Sequence, residues 1–452
     1  MSVPDRDADR MNSVKTTGVN APVSLFPILL VNFIGTLGYS IILPFLIIIV
    51  IRFGGDELIY GIMGATYSFF QLIGAPLLGN WSDMYGRKKI LLLSQAGTFL
   101  AWILFIVALL IPDTELFQFS TLQGSLLLTL PLVILFFARA LDGITGGNVS
   151  VANAYLADVT EEKDRKRNFG KMAAAANLGF IIGPAMAGVL GATVLGELLP
   201  VIAAMLISLI AIFVIAFIMP ESNPCRLSEL VDDKRINKIF GQELKDCYHL
   251  TEAEKIGFKD VLRLRNIPFM LLLYFLIFLA FNFFYVAFPV HAVQSLNWSL
   301  LKLGVFFSLI GFILVLVQGP VLSKISDKFT DGMLSITGSL LLAMSFFLFS
   351  SNNELFIFIG VLLFSGGNGI MWPSFLSYLS KVAGQKYQGA VQGYASSAGS
   401  LASIIGLIAG GFIYGLLGVK TFLIPGLLFL LIFGLLILFF VIKKSYLSKI
   451  NG

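Results

Sequence analysis

Residues Gly79-Asn80-Trp81-Ser82-Asp83-Met84-Tyr85-Gly86-Arg87-Lys88-Lys89 carry two glycines, one acid and three consecutive bases. The chain is apolar on both sides of this stretch, over 59–78 before it and 90–111 after it. Each flank is close to the roughly 20 residues that a bilayer-crossing helix needs. A short charged loop between two such segments sits at a membrane surface. Its three bases select the cytoplasmic surface, where Lys and Arg collect.

The rest of the chain extends this reading. It is 57% hydrophobic and 13% charged, with a mean hydropathy of +0.89. A soluble protein of 452 residues would break its apolar runs sooner and carry more charge. The sequence predicts an all-α membrane protein with twelve spans, near 25–51, 58–78, 90–111, 130–157, 169–191, 198–218, 267–290, 301–322, 333–350, 354–380, 390–416 and 420–441. The 44 glycines suit close helix contacts, and the 42 phenylalanines suit a lipid-facing surface.

With the opening loop in the cytoplasm, all but four of the 31 Lys and Arg fall on the same side. Arg52, Lys302 and Lys420 lie outside, and Arg139 lies within a span. Both termini are then cytoplasmic. The positive charge reflects topology and contact with anionic lipid, so no nucleic-acid partner is expected. The first twenty residues are polar and do not read as a signal peptide, which fits a bacterial inner membrane. Cys225 and Cys247 share a central polar segment with His249 and lack CxxC spacing. They read as free thiols, and neither a metal nor any other cofactor is expected.

That central segment divides the chain. The expected organisation is a tail over 1–24, a six-helix bundle over 25–220, a cytoplasmic linker over 221–266, a second six-helix bundle over 267–442 and a tail over 443–452. The halves resemble each other. Ala75-Pro-Leu-Leu-Gly-Asn-Trp-Ser-Asp83 aligns with Gly319-Pro-Val-Leu-Ser-Lys-Ile-Ser-Asp327. Gly146-Gly147-Asn148 aligns with Gly366-Gly367-Asn368, and Ile181-Ile182-Gly183 with Ile404-Ile405-Gly406. Parallel six-helix repeats imply a site at the repeat interface and access by rocking one half against the other.

Three motifs carry a family resemblance. Gly79, Asp83, Gly86, Arg87 and Lys88 occupy the fixed positions of G-x-x-x-D-x-x-G-R-K, the signature loop of the major facilitator superfamily. Arg139-Ala-Leu-Asp-Gly143 with Ala154-Tyr-Leu-Ala-Asp158 is similar to the fourth-helix motif of the drug:proton antiporters, close to the tetracycline-efflux branch. Gly179-Phe-Ile-Ile-Gly183-Pro184-Ala-Met-Ala187-Gly188 resembles their fifth-helix antiporter motif, with Ala187 in place of a glycine. The resemblance implies the major facilitator fold and a monomer that moves small organic molecules across the bilayer in exchange for protons. It also implies that the signature loop latches the two halves together on the cytoplasmic side when the transporter faces outward. The plainer reading is that these charges only set topology.

Arg139 and Asp142 are the charged pair inside a span. Such groups are costly in a bilayer and usually functional. Their i,i+3 spacing places them on one helix face. Arg stays charged, so a proton carrier would be Asp142; the alternative is a static ion pair that orders the helix. Gly179 and Gly183 share a helix face and permit close approach, Gly188 points elsewhere, and Pro184 removes a helix hydrogen bond. Tetracycline-type exporters carry an acid in the first helix, where this chain has Gly35. Polar and aromatic residues within spans nominate a cavity: Asn32, Tyr39, Gln71, Asn148, Asn177, Asn282, Tyr285, Asn368, Trp372 and Tyr394. Such a lining favours amphipathic, weakly charged cargo over phosphates. The expected function is export of such molecules by proton antiport, and the competing one is a nutrient facilitator or importer without proton exchange. An enzyme is not expected, because no cluster of His, Cys or carboxylates offers chemistry.

Overall fold

A computed structural model describes residues 24–42, 44–121, 124–146, 148–160, 164–222 and 258–450. Cys225, Cys247 and His249 lie outside the described residues. The helices of the first half are α1 (Phe26–Ile41), α2 (Leu46–Arg52), α3 (Glu57–Tyr85), α4 (Arg87–Leu110), α5 (Leu130–Thr145), α6 (Asn148–Asp158), α7 (Arg165–Gly191) and α8 (Leu198–Phe213). Those of the second half are α9 (Phe258–Arg263), α10 (Ile267–Gln294), α11 (Leu300–Leu316), α12 (Leu322–Ile325), α13 (Asp331–Phe349), α14 (Glu354–Leu417) and α15 (Leu423–Ile450).

Local chemistry sets many of the ends. The Asp56 carboxylate accepts from Ile59 N at 2.8 Å to cap α3. Ser299 caps α11 through Lys302 N at 3.3 Å, and Thr330 caps α13 through Met333 N at 3.3 Å. Each satisfies a backbone donor that helix geometry leaves without a partner. Gly86 has φ +101° and ends α3 while starting α4, a backbone that glycine adopts without strain. Pro44 lies in the break between α1 and α2. A π-helical turn at Val317–Val321, which contains Pro320, joins α11 to α12.

Among the described residues, ten helical stretches are long and apolar enough to cross a membrane. The protein is an integral, multi-pass, essentially all-helical membrane protein. Several predicted spans are built differently from the expectation. The segment 130–157 is two helices, α5, which ends at Thr145 with Gly146 as its cap, and α6, which begins at Asn148. The eleventh and twelfth predicted spans form one continuous apolar stretch, Val391–Phe440, interrupted by a tight turn at Gly418–Phe422. α14 likewise bends at Gly384, where φ is +68°.

A β-hairpin between α4 and α5 was not expected. Strands β1 (Glu115–Thr121) and β2 (Gly124–Thr129) pair antiparallel, with Glu115 opposite Thr129 and Thr121 opposite Gly124. The run Leu126-Leu127-Leu128 reads as the start of a span, but here it belongs to a strand. Thr129 Oγ1 donates to Phe53 O at 3.0 Å and ties the hairpin to the end of α2.

The phenylalanines are not only a lipid-facing coat. In the second half, Phe284, Phe288, Phe306, Phe346, Phe349, Phe364, Phe422 and Phe429 are fully buried in one cluster. Phe288 and Phe306 stack with ring centroids 4.0 Å apart. Aromatic faces that pack this way hold α10, α11, α13 and α14 together without polar atoms.

Candidate functional site

The halves of the chain meet along two seams. In the first, α3 crosses α14 through glycines. A Cβ at Gly61 would collide with the Leu407 carbonyl oxygen, and one at Gly411 with the Glu57 carbonyl oxygen. In the second, α7 runs along α11. A Cβ at Gly304 would collide with the Pro184 carbonyl oxygen, and Gly188 lies against the backbone of Leu300 and Leu301. Ser308 Oγ donates to Ile181 O at 2.9 Å, and Asn177 Nδ2 donates to Gln318 Oε1 at 3.2 Å. Small residues admit backbones to this distance, and interhelical hydrogen bonds add to the contact.

A cavity of about 1030 Å³ lies between the halves and runs along α3 from Tyr67 to Gly79. Asn32 and Tyr39 line it from α1, Gln71 from α3, Asn282 and Tyr285 from α10, and Asn368 and Trp372 from α14. Asn177 and Tyr394 are not in the lining. The Asn177 amide is engaged in the α7–α11 seam, and Tyr394 packs against the apolar core of the second half. The side chains of Asn148 and Asp83 lie outside the described residues. No Asp, Glu, Lys or Arg occurs among the described lining residues.

Sequence reasoning missed a serine face. Ser396, Ser397, Ser400 and Ser403 line the cavity from α14. Their spacing of one, three and three is a single helical stripe, and that stripe inside an apolar span was the available signal. The Ser397, Ser400 and Ser403 hydroxyls donate to carbonyls one turn back at 2.9–3.1 Å. Oxygen lone pairs are thereby left to accept hydrogen bonds. Ser403 Oγ also accepts from Asn282 Nδ2 at 2.9 Å. Aromatic residues adjoin the stripe: Tyr274, Phe278, Phe281, Tyr285 and Trp372 line the same cavity, and Gly399, among the serines, packs on the Tyr274 and Phe278 rings. Tyr274 and Phe278 stack at 4.9 Å, and Trp372 stands edge-on to both.

Arg139 and Asp142 sit on α5 beside this cavity. Arg139 Nη1 is 3.2 Å from Asp142 Oδ2, and both side chains are largely buried. The guanidinium lies over the Tyr67 ring, 4.4 Å from its centroid. Tyr67 packs on Tyr39 at 5.4 Å, and its hydroxyl accepts from Gln71 Nε2 at 3.1 Å. The Arg139 Nε–H has no partner in the structure. The ion pair is thus joined through two tyrosines to residues that line the cavity.

At the Gly79–Lys89 turn, polar contacts join Arg87 to Ser82, Asp158 and Glu221. Arg87 Nε pairs with Asp158 Oδ2 at 3.0 Å, and Arg87 Nη1 donates to Ser82 Oγ at 2.7 Å. The Glu221 carboxylate accepts from the backbone N of Arg87 at 2.8 Å and of Lys88 at 3.2 Å. It lies against Gly86, where a Cβ would strike it. Glu221 therefore caps α4 from the far end of the first half, and nothing local in sequence signals that. Glu221→Ala is expected to lower unfolding stability by about 1 kcal/mol, read as a lower thermal midpoint in detergent.

The equivalent place in the second half has reversed charges. Asp331 Oδ2, at the start of α13, accepts from Lys381 Nζ at 2.6 Å and from Ser377 Oγ at 2.9 Å. Of the fifth-helix motif, Gly179 and Gly183 pack on α1 near Leu37 and Ser40, whereas Gly188 faces α11. Ser40 Oγ donates to Gly179 O at 2.9 Å. His291 is fully buried at the other end of α10 and shares a hydrogen bond of 3.1 Å with the Tyr414 hydroxyl.

Known proteins share the sequence pattern and the fold. The sequence profile of the Major Facilitator Superfamily matches residues 28–407. Tetracycline resistance protein, class E, of Escherichia coli is 28% identical over 391 residues, spanning 85% of this chain and 86% of that protein. Multidrug resistance protein 2 of Bacillus subtilis (strain 168) is 26% identical over 432 residues, spanning 92% and 95%. The crystal structure of the human organic anion transporter MFSD10 (TETRAN) superimposes with a TM-score of 0.64 at 22% identity, covering 91% of this chain and 98% of that one. That of a D-xylose-proton symporter does so with a TM-score of 0.68 at 16% identity, covering 91% and 97%. A profile that runs across most of the sequence, over helices that enclose a shared cavity, places this chain in the major facilitator superfamily, a family of transporters and not of enzymes.

Proposed function

We propose that the protein exports amphipathic small organic molecules by proton antiport, alternating the access of one cavity between two sides of the membrane. The observation that carries this is the uncharged cavity of about 1030 Å³ between the halves, with the Arg139–Asp142 pair against its wall. The aromatic residues offer stacking to a flat apolar face, and the adjoining serine stripe offers acceptors to donors on the cargo. The likeness to tetracycline and multidrug resistance proteins supports the direction of transport and the use of protons.

The architecture in this proposal has twelve crossings in two six-helix bundles, over 25–220 and 267–442, joined by a cytoplasmic linker. α5 with α6 supplies one crossing beyond the ten long helices, and the turn at Gly418–Phe422 divides Val391–Phe440 into two. In this proposal the membrane is a bacterial inner membrane and both termini lie on its cytoplasmic side, where Lys and Arg collect. The seams at Gly61–Gly411 and Gly188–Gly304 lie at the opposite end from Gly79–Lys89. The described state then opens inward, with Arg87 of the signature loop bonded to Asp158 and Glu221, and an outward-facing state would bring Arg87 and Lys88 toward the second half. The protein works as a monomer in this proposal, with the proton gradient as its energy source and no cofactor.

Gly35, in place of a first-helix acid, favours a second reading as a facilitator or importer without proton exchange. One experiment separates the two. The protein is reconstituted in vesicles holding a pH-sensitive dye, and tetracycline and ethidium serve as cargo probes. Cargo movement with matching proton flux is expected under an imposed gradient. Cargo movement with no proton flux would establish the facilitator.

A further inference from the structure

A second, smaller chamber of about 40 Å³ lies behind the cavity wall, enclosed by α1, α3, α4, α5 and α8. Asp142 forms part of its lining, with Thr98, Gln95 and Trp102 of α4 and Ser208 of α8. Gly35, Tyr39, Tyr67 and Gly146 line both spaces and form the partition between them. A water needs about 10–15 Å³ of such volume and two to four polar partners, so the chamber has room for roughly two or three waters.

Its chemistry matches water. Trp102 is 4% exposed and lines the chamber, yet its indole N–H has no hydrogen-bond partner among the described residues. A buried donor left this way costs stability unless an acceptor meets it. Gln95 Nε2 donates to Ser208 Oγ at 2.6 Å, which leaves the Gln95 carbonyl to accept. The chamber thus presents an indole donor, a carboxylate, an amide carbonyl and hydroxyls. A cation fits poorly, because Arg139 is already 3.2 Å from the carboxylate.

We propose that this chamber is a water site through which Asp142 exchanges its proton, on the side of the partition away from cargo. This rests on the reading that Asp142 is the proton carrier. In loading, a hydronium in the chamber breaks one O–H bond, Asp142 Oδ gains that proton, and water and a neutral carboxyl remain. Release is the reverse. The charged and titratable groups that face Asp142 are Arg139 on its own helix, Tyr39 on α1 and Tyr67 on α3; α4 and α8 contribute the neutral Thr98, Gln95, Trp102 and Ser208. Cargo that presses on Tyr39 and Tyr67 moves the partition, which gives the cavity a way to govern the exchange.

Infrared difference spectroscopy of the full-length reconstituted protein tests this, from acid to neutral pH and with transfer to D2O. The Asp142 carboxyl band is identified by its loss in Asp142→Asn. Ala204 also lines the chamber, and Ala204→Leu fills it. This variant is expected to slow deuterium exchange of that band by at least about tenfold. Trp102→Phe keeps the ring and removes the donor, so it should slow exchange less while folding normally. Exchange as fast as wild type in both variants overturns the chamber and leaves Asp142 as carrier. Absence of any band sensitive to Asp142→Asn overturns the carrier and the chamber together.

Discussion

Asp142→Asn is expected to abolish proton flux driven by cargo while leaving cargo binding in place. The substitution keeps the size of the side chain and removes its capacity to carry a proton. Positioned proton-transfer groups contribute about 10²–10⁴-fold, so coupled flux should fall by at least ~10²-fold. Cargo should still quench intrinsic fluorescence with near wild-type affinity, because Asp142 is not among the residues lining the main cavity. Full coupling in this variant would reject the assignment. Arg139→Gln removes the cation that pairs with the carboxylate; the Asp142 carboxyl can meet this by holding its proton, so the protein should still fold and coupled flux should fall as it does in Asp142→Asn. Arg139→Lys should not restore it, because the planar guanidinium that lies over Tyr67 at 4.4 Å has no ammonium equivalent.

The large features were legible because bilayer thickness fixes the length of an apolar run. That rule found the segments that became α3, α4, α10, α11 and α13, and the charged turn between α3 and α4. It failed where a crossing is not one helix. α5 ends at Gly146 before α6 begins at Asn148, and residues 126–128, apolar enough to start a span, became a strand. The site was legible where chemistry is local. Arg139 and Asp142, three residues apart on one helix, could be paired from sequence alone. Contacts across the chain could not. Glu221 reaches Arg87 N over a separation of 134 residues, and Asn177 is consumed by Gln318 over 141. Polar character marks a residue as needing a partner and does not say whether that partner is cargo or another helix. The serine face on α14 was visible in its spacing, but serines in membrane helices so often bond their own backbone that the stripe alone does not say that it faces a cavity.

The seam opposite the charged turn makes the second large prediction. Gly61 of α3 and Gly411 of α14 cross with backbone against backbone, so any side chain there strikes the carbonyl of Leu407 or Glu57. A flexible side chain could turn aside; a carbonyl held in a helix cannot. Gly411→Val must therefore push α3 and α14 apart at this end. Overpacking of this kind costs about 1–3 kcal/mol. The cost falls on the state whose halves are closed here, and a state open here escapes it. The equilibrium should move toward the open state by roughly ten- to a hundredfold. Spin labels at Val194 and Lys420, one on each half at the end away from Gly79–Lys89, should report a longer distance in Gly411→Val than in wild type. Gly170→Ala is the control, since a Cβ there meets nothing within 4 Å. An unchanged distance distribution in Gly411→Val would mean that this seam does not part, and that alternating access must open elsewhere. The expected lengthening would also slow transport, because a transporter held to one side of its cycle cannot complete it.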